Sequence, residues 1–254
     1  MDVVCIGSGN VATHVAQAFK TSGANVIQVW SPNSKHAEKL ALLVGAQSVS
    51  ELKTISKNAD LYVIAVKDDA IATVCAQLTG IGEGLVVHTS GATSIQTLSS
   101  FNSYGVLYPL QTFSLNRPID FKDVPLCIEA KDVLVLEKLR NIASGLSQSV
   151  YDVDSDKRKT LHLAAVFACN FVNHLYELGN QVLINHQLDF EMLRPLIIET
   201  AMKVQHENPV NVQTGPAVRD DEQTMAAHLK LISDKPDLIE IYQTLSKSIK
   251  KTHS

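Results

Sequence analysis

Short apolar runs alternate with amphipathic stretches over the first 153 residues, and amphipathic stretches alone fill the remainder. Val3-Val4-Cys5-Ile6 reads as a buried parallel strand, because a strand covered on both faces loses the alternation of polar and apolar positions. Val11, Val15, Ala18 and Phe19 then recur at helical spacing, and Gly23 supplies a C-cap. Residues 25–30 predict a second strand, and residues 34–44 a helix that stops at Gly45. Ser48 and Glu51 have the spacing of a capping box, which predicts a further short helix. Residues 60–66 read as a buried strand, followed by a helix over 70–78 behind the acidic pair Asp68-Asp69. Residues 84–91 form a strand that runs into a polar turn, and residues 93–96 again fit a capping box. This β-α alternation calls for a parallel sheet with helices on both faces. Apolar runs at 105–109 and 124–130, a helix over 132–145 and a last strand at 149–152 complete a first domain expected to span residues 1–153.

From residue 154 the strand-like runs stop, so the second domain, residues 154–254, is expected to be all helical. Residues 156–184 form a nearly uninterrupted helical pattern, long enough to span roughly 40 Å at 1.5 Å per residue. Between Leu161 and Val172 this helix is apolar almost all round and needs cover on every side. The remaining helices, expected at 190–206, 221–232 and 236–250, supply only part of that cover. A homodimer centred on the 156–184 helix is therefore expected, with a self-contained bundle as the alternative.

Composition narrows the class. Of 254 residues, 45% are hydrophobic and 19% charged, as in an ordinary globular protein. A net charge of -4 leaves no footprint for nucleic acid, and the basic residues 247–251 read as a solvated helix end. The apolar run 163–169 is far too short to cross a membrane, and no signal peptide is visible. Cys5, Cys75, Cys127 and Cys169 are widely spaced within apolar runs, without a CxxC pair or a Cys/His cluster. Buried free thiols, a reducing cytoplasm and no bound metal are the expectation.

The chemistry starts at Gly7-Ser8-Gly9-Asn10-Val11-Ala12, a G-x-G-x-x-A turn between a strand and a helix. The first glycine permits the tight turn, the second lets a pyrophosphate approach the backbone, and Ala12 lets the helix pack closely. The helix N-terminus points N–H groups at an anion placed there. A dinucleotide with a small-molecule substrate is the implied ligand set. An NAD site places a carboxylate at the end of the second strand, whereas this chain has Ser31, Asn33, Ser34 and Lys35 there. Those residues suit the 2′-phosphate of NADP; the other reading is a polar loop that caps the next helix. Val66 and Lys67, at the end of a later strand, are expected to pass the adenosine half of the cofactor.

Three further groups are candidates for catalysis. His88 and Ser90 follow the strand expected to end near the nicotinamide, where Ser90 either orients substrate or carboxamide or only shapes the turn. Tyr108-Pro109-Leu110-Gln111-Thr112-Phe113-Ser114 either walls the pocket or forms a rigid turn. His162 and Asn170 are placed on one face of the long helix, where a histidine titrating near neutrality could supply a proton and an amide could hold the reacting oxygen. Arg219, in Thr214-Gly215-Pro216-Ala217-Val218-Arg219-Asp220, could clamp a carboxylate, pair with Asp220 or Asp221, or reach across a dimer.

Taken together, the 7–12 turn, His88-Thr89-Ser90-Gly91-Ala92, Tyr108 to Phe113, His162 with residues 165–171, and residues 214–220 resemble bacterial proteins that carry a DUF2520 domain. The resemblance covers essentially the whole chain. It implies a Rossmann-type, NADP-binding N-terminal domain and an all-helical C-terminal domain that often dimerises. It also implies kinship with pyrroline-5-carboxylate reductase, F420-dependent NADP oxidoreductase and the 3-hydroxyacid dehydrogenases. The last of these use a lysine one turn before a helix asparagine, and if Asn170 is that asparagine, Val166 stands at the lysine position. The expected activity is hydride transfer between NADP and a small polar carbonyl, imine or hydroxy-acid-like compound. His162 or His88 would serve as proton source, Ser90 and Asn170 would orient the substrate, and Arg219 would recognise a carboxylate. A non-catalytic NADP(H)-binding homodimer is the alternative; an S-adenosylmethionine site would want an acidic residue after the second strand.

Overall fold

The computed structural model describes residues 1–253. Eight strands, β1 (Asp2–Ile6), β2 (Asn25–Trp30), β3 (Gln47–Val49), β4 (Leu61–Ile64), β5 (Leu85–His88), β6 (Tyr104–Pro109), β7 (Leu126–Ala130) and β8 (Val150–Asp152), form one sheet. Its order is β3-β2-β1-β4-β5-β6-β7-β8, so the chain reverses direction across the sheet between β1 and β4. Strands β1 to β6 are parallel. In such a sheet the crevice at that reversal, beyond the carboxyl ends of the strands, is where ligands bind.

Period-two geometry sends successive side chains to opposite faces. Val3 and Cys5 pack with Val15 and Phe19 of α1 (Asn10–Thr21) and Leu40 of α2 (Ser34–Val44). Val4 and Ile6 pack with Ile71 and Val74 of α3 (Asp68–Gln77) on the other face. The helix α4 (Val133–Leu146), capped by the Asp132 side chain, contributes Leu139 and Ala143 to the first face. Both faces of the sheet are thus covered, as the apolar runs required.

Three local expectations are corrected. Ser48 lies within β3 rather than opening a helix, and only a single 3-10 turn, Leu52–Thr54, follows it. At residues 93–96 Ser94 caps a 3-10 turn, Ile95–Leu98, in place of an α-helix. Strand β7 is antiparallel to β6. A parallel return needs a crossover, usually a helix, and the segment between these strands carries only a 3-10 turn.

The chain after β8 is helical throughout: α5 (Ser155–Ala165), a π turn (Val166–Phe171), α6 (Val172–Asn185), α7 (Arg194–His206), α8 (Glu222–Leu231) and α9 (Pro236–His253). It divides into two compact units, Met1–Cys169 and Asn170–Ser254. The division falls inside the π turn rather than at residue 153, because α5 is tied to the sheet through Arg158, described below. Along α5, the π turn and α6, Arg158 is the one fully buried side chain among the described residues. Cys169 is exposed, contrary to expectation, whereas Cys5, Cys75 and Cys127 are buried and free. Among the described residues no helix is long and apolar enough to cross a membrane, and no group of His, Cys, Asp and Glu could hold a metal ion.

Candidate functional site

The turn Gly7-Ser8-Gly9 sits at the reversal between β1 and β4. The Gly7 N–H donates to the Trp30 carbonyl at 2.7 Å, and its φ of +130° belongs to glycine. A Cβ there would lie 2.1 Å from the Ala65 carbonyl oxygen, so the absence of a side chain is a steric requirement. Gly9 is different: a Cβ on it would meet nothing within 4 Å. Its backbone lies open to a cleft of about 460 Å³ lined by residues of the turn, Trp30, Ser31, Pro32, Ala65, Val66 and Lys67.

Gly9 also flanks the start of α1 without any side-chain cap, and the first turn of that helix carries no acidic residue. The first N–H groups of a helix have no intrahelical acceptor and sit at its positive end, so an anion over Gly9 would meet donors at Asn10 and Val11. None of the residues lining the cleft is acidic. Ser8 Oγ donates to Ser31 Oγ at 2.7 Å, and Ser31, which also accepts the Asn33 N–H at 3.4 Å, keeps its own hydrogen to donate. Asn33 caps α2 through the His36 N–H, while Ser34 and Lys35 are exposed in the first turn of that helix. The Asn10 amide holds the Phe113 carbonyl at 2.9 Å and His14 contacts the Ser114 carbonyl at 3.0 Å, so the loop after β6 is held against the start of α1. Turn, open helix end and lining without carboxylates fit a dinucleotide pyrophosphate.

The neighbouring strand ends carry a second cluster. Because Ile6, Ile64 and His88 are in register and Val106 follows His88, the ends of β5 and β6 continue the same edge of the sheet. Tyr108, near the end of β6, places its Oη 3.1 Å from Nδ1 of His162 on α5. Gly91 lies against both rings: a Cβ on it would stand 2.7 Å from His162 Nδ1 and 2.9 Å from Tyr108 Cζ. Burial pushes the Tyr108 phenol up to about 12, so it keeps its proton.

A buried ion pair frames this cluster. Arg158, one helical turn before His162, has no exposed surface. Its guanidinium pairs with Glu129 on β7, donates to the Ser90 carbonyl at 3.2 Å and to the Thr93 carbonyl at 2.5 Å, and meets Ser155 Oγ at 3.2 Å. Ser155 Oγ in turn donates to Glu129 and accepts the Ile95 N–H. The 90–95 turn, the start of α5 and β7 are thereby locked together. In sequence Arg158 sits in a run of charged residues at a helix start and reads as solvated, so nothing local marks it.

The catalytic candidates separate accordingly. The structure joins His162 to Tyr108 and Gly91. The Ser90 hydroxyl donates to Thr93 Oγ1 and accepts the Ala92 and Thr93 N–H groups, which is the work of a turn residue. His88 is wholly buried, its Nδ1 accepting the Ser90 N–H at 3.2 Å. Its Nε2 has no hydrogen-bond partner among the described residues. Burial first, and Arg158 second, lower its pKa to about 4, so at neutral pH it is an uncharged core residue rather than a proton source. Asn170, exposed in the π turn, and Arg219 belong to the second unit. Asp220 pairs with Lys250 at 3.0 Å, and Asp221 caps α8 through Thr224; the Thr224 hydrogen bonds first, and the charge of the exposed Arg219 among the lesser causes, hold the Asp221 carboxyl below the usual range.

The chain is similar to known proteins. Residues 2–90 match the family of coenzyme F420-dependent NADP oxidoreductases, and residues 124–249 match DUF2520, a domain of unknown function. A protein of Bacteroides fragilis to which an NADP oxidoreductase activity is ascribed is 42% identical. Its structure aligns with a TM-score of 0.95 over 98% of this chain and 98% of its own. An imine reductase from Myxococcus stipitatus, in complex with NADP+, shares the fold at 17% identity and a TM-score of 0.67, over 99% and 93% of the two chains. A 1-pyrroline-5-carboxylate reductase from Streptococcus pyogenes does so at 12% identity and a TM-score of 0.65, each chain covered to 98–99%. No curated protein matches the chain in sequence.

Proposed function

The chain belongs to the family of NADP oxidoreductases with a DUF2520 domain, and from that premise we propose that it is an NADP(H)-dependent reductase of a small C=N or C=O compound. The observation that carries the reading is the Gly7-Ser8-Gly9 turn at the sheet reversal, open to solvent at Gly9 and free of carboxylates around it. Gly7, Gly9, Asn10 and Val11 would seat the pyrophosphate, with Ser8 fixing Ser31. Ser31, Ser34 and Lys35 would receive a 2′-phosphate, which hydroxyls and a cation attract and a carboxylate would repel. Val66 and Lys67 would line the adenosine side. When bound, the nicotinamide supplies the hydride.

The protein's own share is orientation and a proton. His162, held against Gly91 at the ends of β5 and β6, is the group proposed to hold a proton at the reacting heteroatom. Both similar enzymes named above for their substrates act on C=N bonds, which favours an imine over a carbonyl substrate. The test is NADPH oxidation with a panel of small cyclic imines and keto acids, comparing wild type with His162→Gln. Turnover by the wild type that falls at least about 100-fold in the variant supports the assignment, on the scale of a positioned acid. Equal turnover by both removes His162 from it.

The second unit carries the proposed homodimer. Leu175 and Ile184 on α6 and Leu196, Ile198 and Met202 on α7 are all exposed, a larger apolar surface than monomers usually leave in water. A second copy of the chain would cover it, and sedimentation equilibrium should return twice the chain mass.

A further inference from the structure

We infer that Tyr108 is a positioning residue for His162: its phenol hydrogen-bonds Nδ1 and so makes Nε2 the nitrogen that carries the ring's exchangeable proton toward the reacting atom. The inference rests on the reading of His162 as proton carrier.

Three observations converge. Among the described residues, the 3.1 Å contact between Tyr108 Oη and His162 Nδ1 is the one hydrogen bond that either side chain makes. A buried phenol is a strong donor and a weak acceptor, and it needs a partner; Nδ1 is the acceptor within reach. The hydrogen bond at one ring nitrogen decides which nitrogen of a neutral imidazole is protonated, so a donor at Nδ1 puts the proton on Nε2. The rings meet edge to face at 77°, with centroids 6.0 Å apart, which keeps the imidazole from turning freely.

Gly91 and Arg158 fix the rest of the geometry. The Gly91 backbone approaches the imidazole so closely that a methyl group would displace it. Arg158 holds the neighbouring carbonyl of Ser90 and anchors α5 one turn before His162. The Nδ1 edge of the ring is therefore packed against both the Gly91 backbone and the phenol.

A hydroxyl suits this task better than an amide or carboxylate. Toward neutral imidazole it donates to Nδ1. Toward imidazolium it rotates and accepts from Nδ1–H. If the imidazolium gives its Nε2 proton to the substrate heteroatom while the adjacent carbon receives hydride, the ring becomes neutral imidazole and the phenol ends unchanged. The ring keeps one pose through both charge states.

The experiment reads the tautomer directly and needs neither cofactor nor substrate. Full-length protein labelled with 15N-histidine is recorded by long-range 1H–15N correlation in mildly alkaline buffer, with His162→Gln supplying the assignment. Wild type should show a protonated-type Nε2 and a pyridine-type Nδ1 for His162. Tyr108→Phe, which keeps the ring and loses the hydroxyl, should move both resonances toward the average of a mixed tautomer, while the His14 and His88 signals stay in place. A wild-type His162 with its proton on Nδ1, or already mixed, overturns the inference without recourse to any variant. An unchanged pattern in Tyr108→Phe overturns it too. The proton-carrier reading fails by a different result, equal turnover of wild type and His162→Gln, which leaves the tautomer pattern as it stands.

Discussion

Gly7 approaches Ala65 so closely that a Cβ on the glycine would lie 2.1 Å from the Ala65 carbonyl oxygen, whereas two residues on, Gly9 faces open space. The two glycines of the turn do different work. Gly7 lets β1 turn past β4, and Gly9 leaves room above the backbone. Gly7→Ala should destabilise the fold by about 1–3 kcal/mol, the scale of a strained backbone position, because the opposing atoms are main chain and cannot swing aside. Gly9→Ala should leave stability within about 0.5 kcal/mol and weaken NADPH binding at least tenfold. Urea denaturation and a fluorescence titration of each variant separate the two effects.

Asn33 offers a test of cofactor choice that spares the fold. Its side chain caps α2, and aspartate caps as well as asparagine. Asn33→Asp should therefore melt like the wild type while placing a carboxylate at the end of β2. NADPH affinity should drop about tenfold, or roughly 1.4 kcal/mol, with NADH affinity equal or better. Calorimetric titration with both nucleotides measures it.

The Arg158–Glu129 pair should be costly to break from one side. Arg158→Met leaves the Glu129 carboxylate, with a side chain 16% exposed, without its cation. The expected loss is about 3 kcal/mol, at the lower end for breaking a buried pair because Ser155 still donates to Glu129. Arg158→Met with Glu129→Gln should recover part of that loss, because the stranded charge is gone. A urea denaturation cycle over the four proteins gives the coupling.

His88 makes stability depend on pH. Its pKa in the folded protein, about 4, lies below the ordinary 6.5 because burial disfavours the charged ring. Between these values the unfolded chain binds more protons than the native one, so stability falls as pH drops from 6.5 toward 4. Above 6.5 the contribution is complete, and below 4 roughly 3 kcal/mol has been lost. His88→Asn, whose side-chain oxygen can still accept the Ser90 N–H, should flatten the slope of unfolding free energy against pH in that window. An unchanged slope would assign it to other groups.

How much of this was readable in the chain depends on whether a feature is local. The strand runs, the G-x-G-x-x-A turn and the Gly45 stop are set by residues within a few positions of one another, and they stand where the pattern put them. Long-range features were hidden. Arg158 looks solvated beside Lys157 and Lys159, and only its partner on β7 buries it. Ser90 and His88 looked like site residues because they follow a strand, yet one hydroxyl is saturated by its own turn and one ring is sealed in the core. Tyr108 lies near the end of the apolar run 105–109 that forms β6, but nothing in the chain shows that the end of this strand meets His162 on α5. The antiparallel β7 depended on the lack of a crossover helix, a feature of the whole segment rather than of any residue in it.

The central claim is that the Gly7–Gly9 turn seats NADP(H), and binding to cofactor-free protein tests it most directly. Isothermal titration with NADPH and with NADH should give one site per chain, with NADPH held at about 1 μM or tighter, near −8 kcal/mol, and NADH at least tenfold weaker. Failure of both nucleotides to bind would contradict the account at its base.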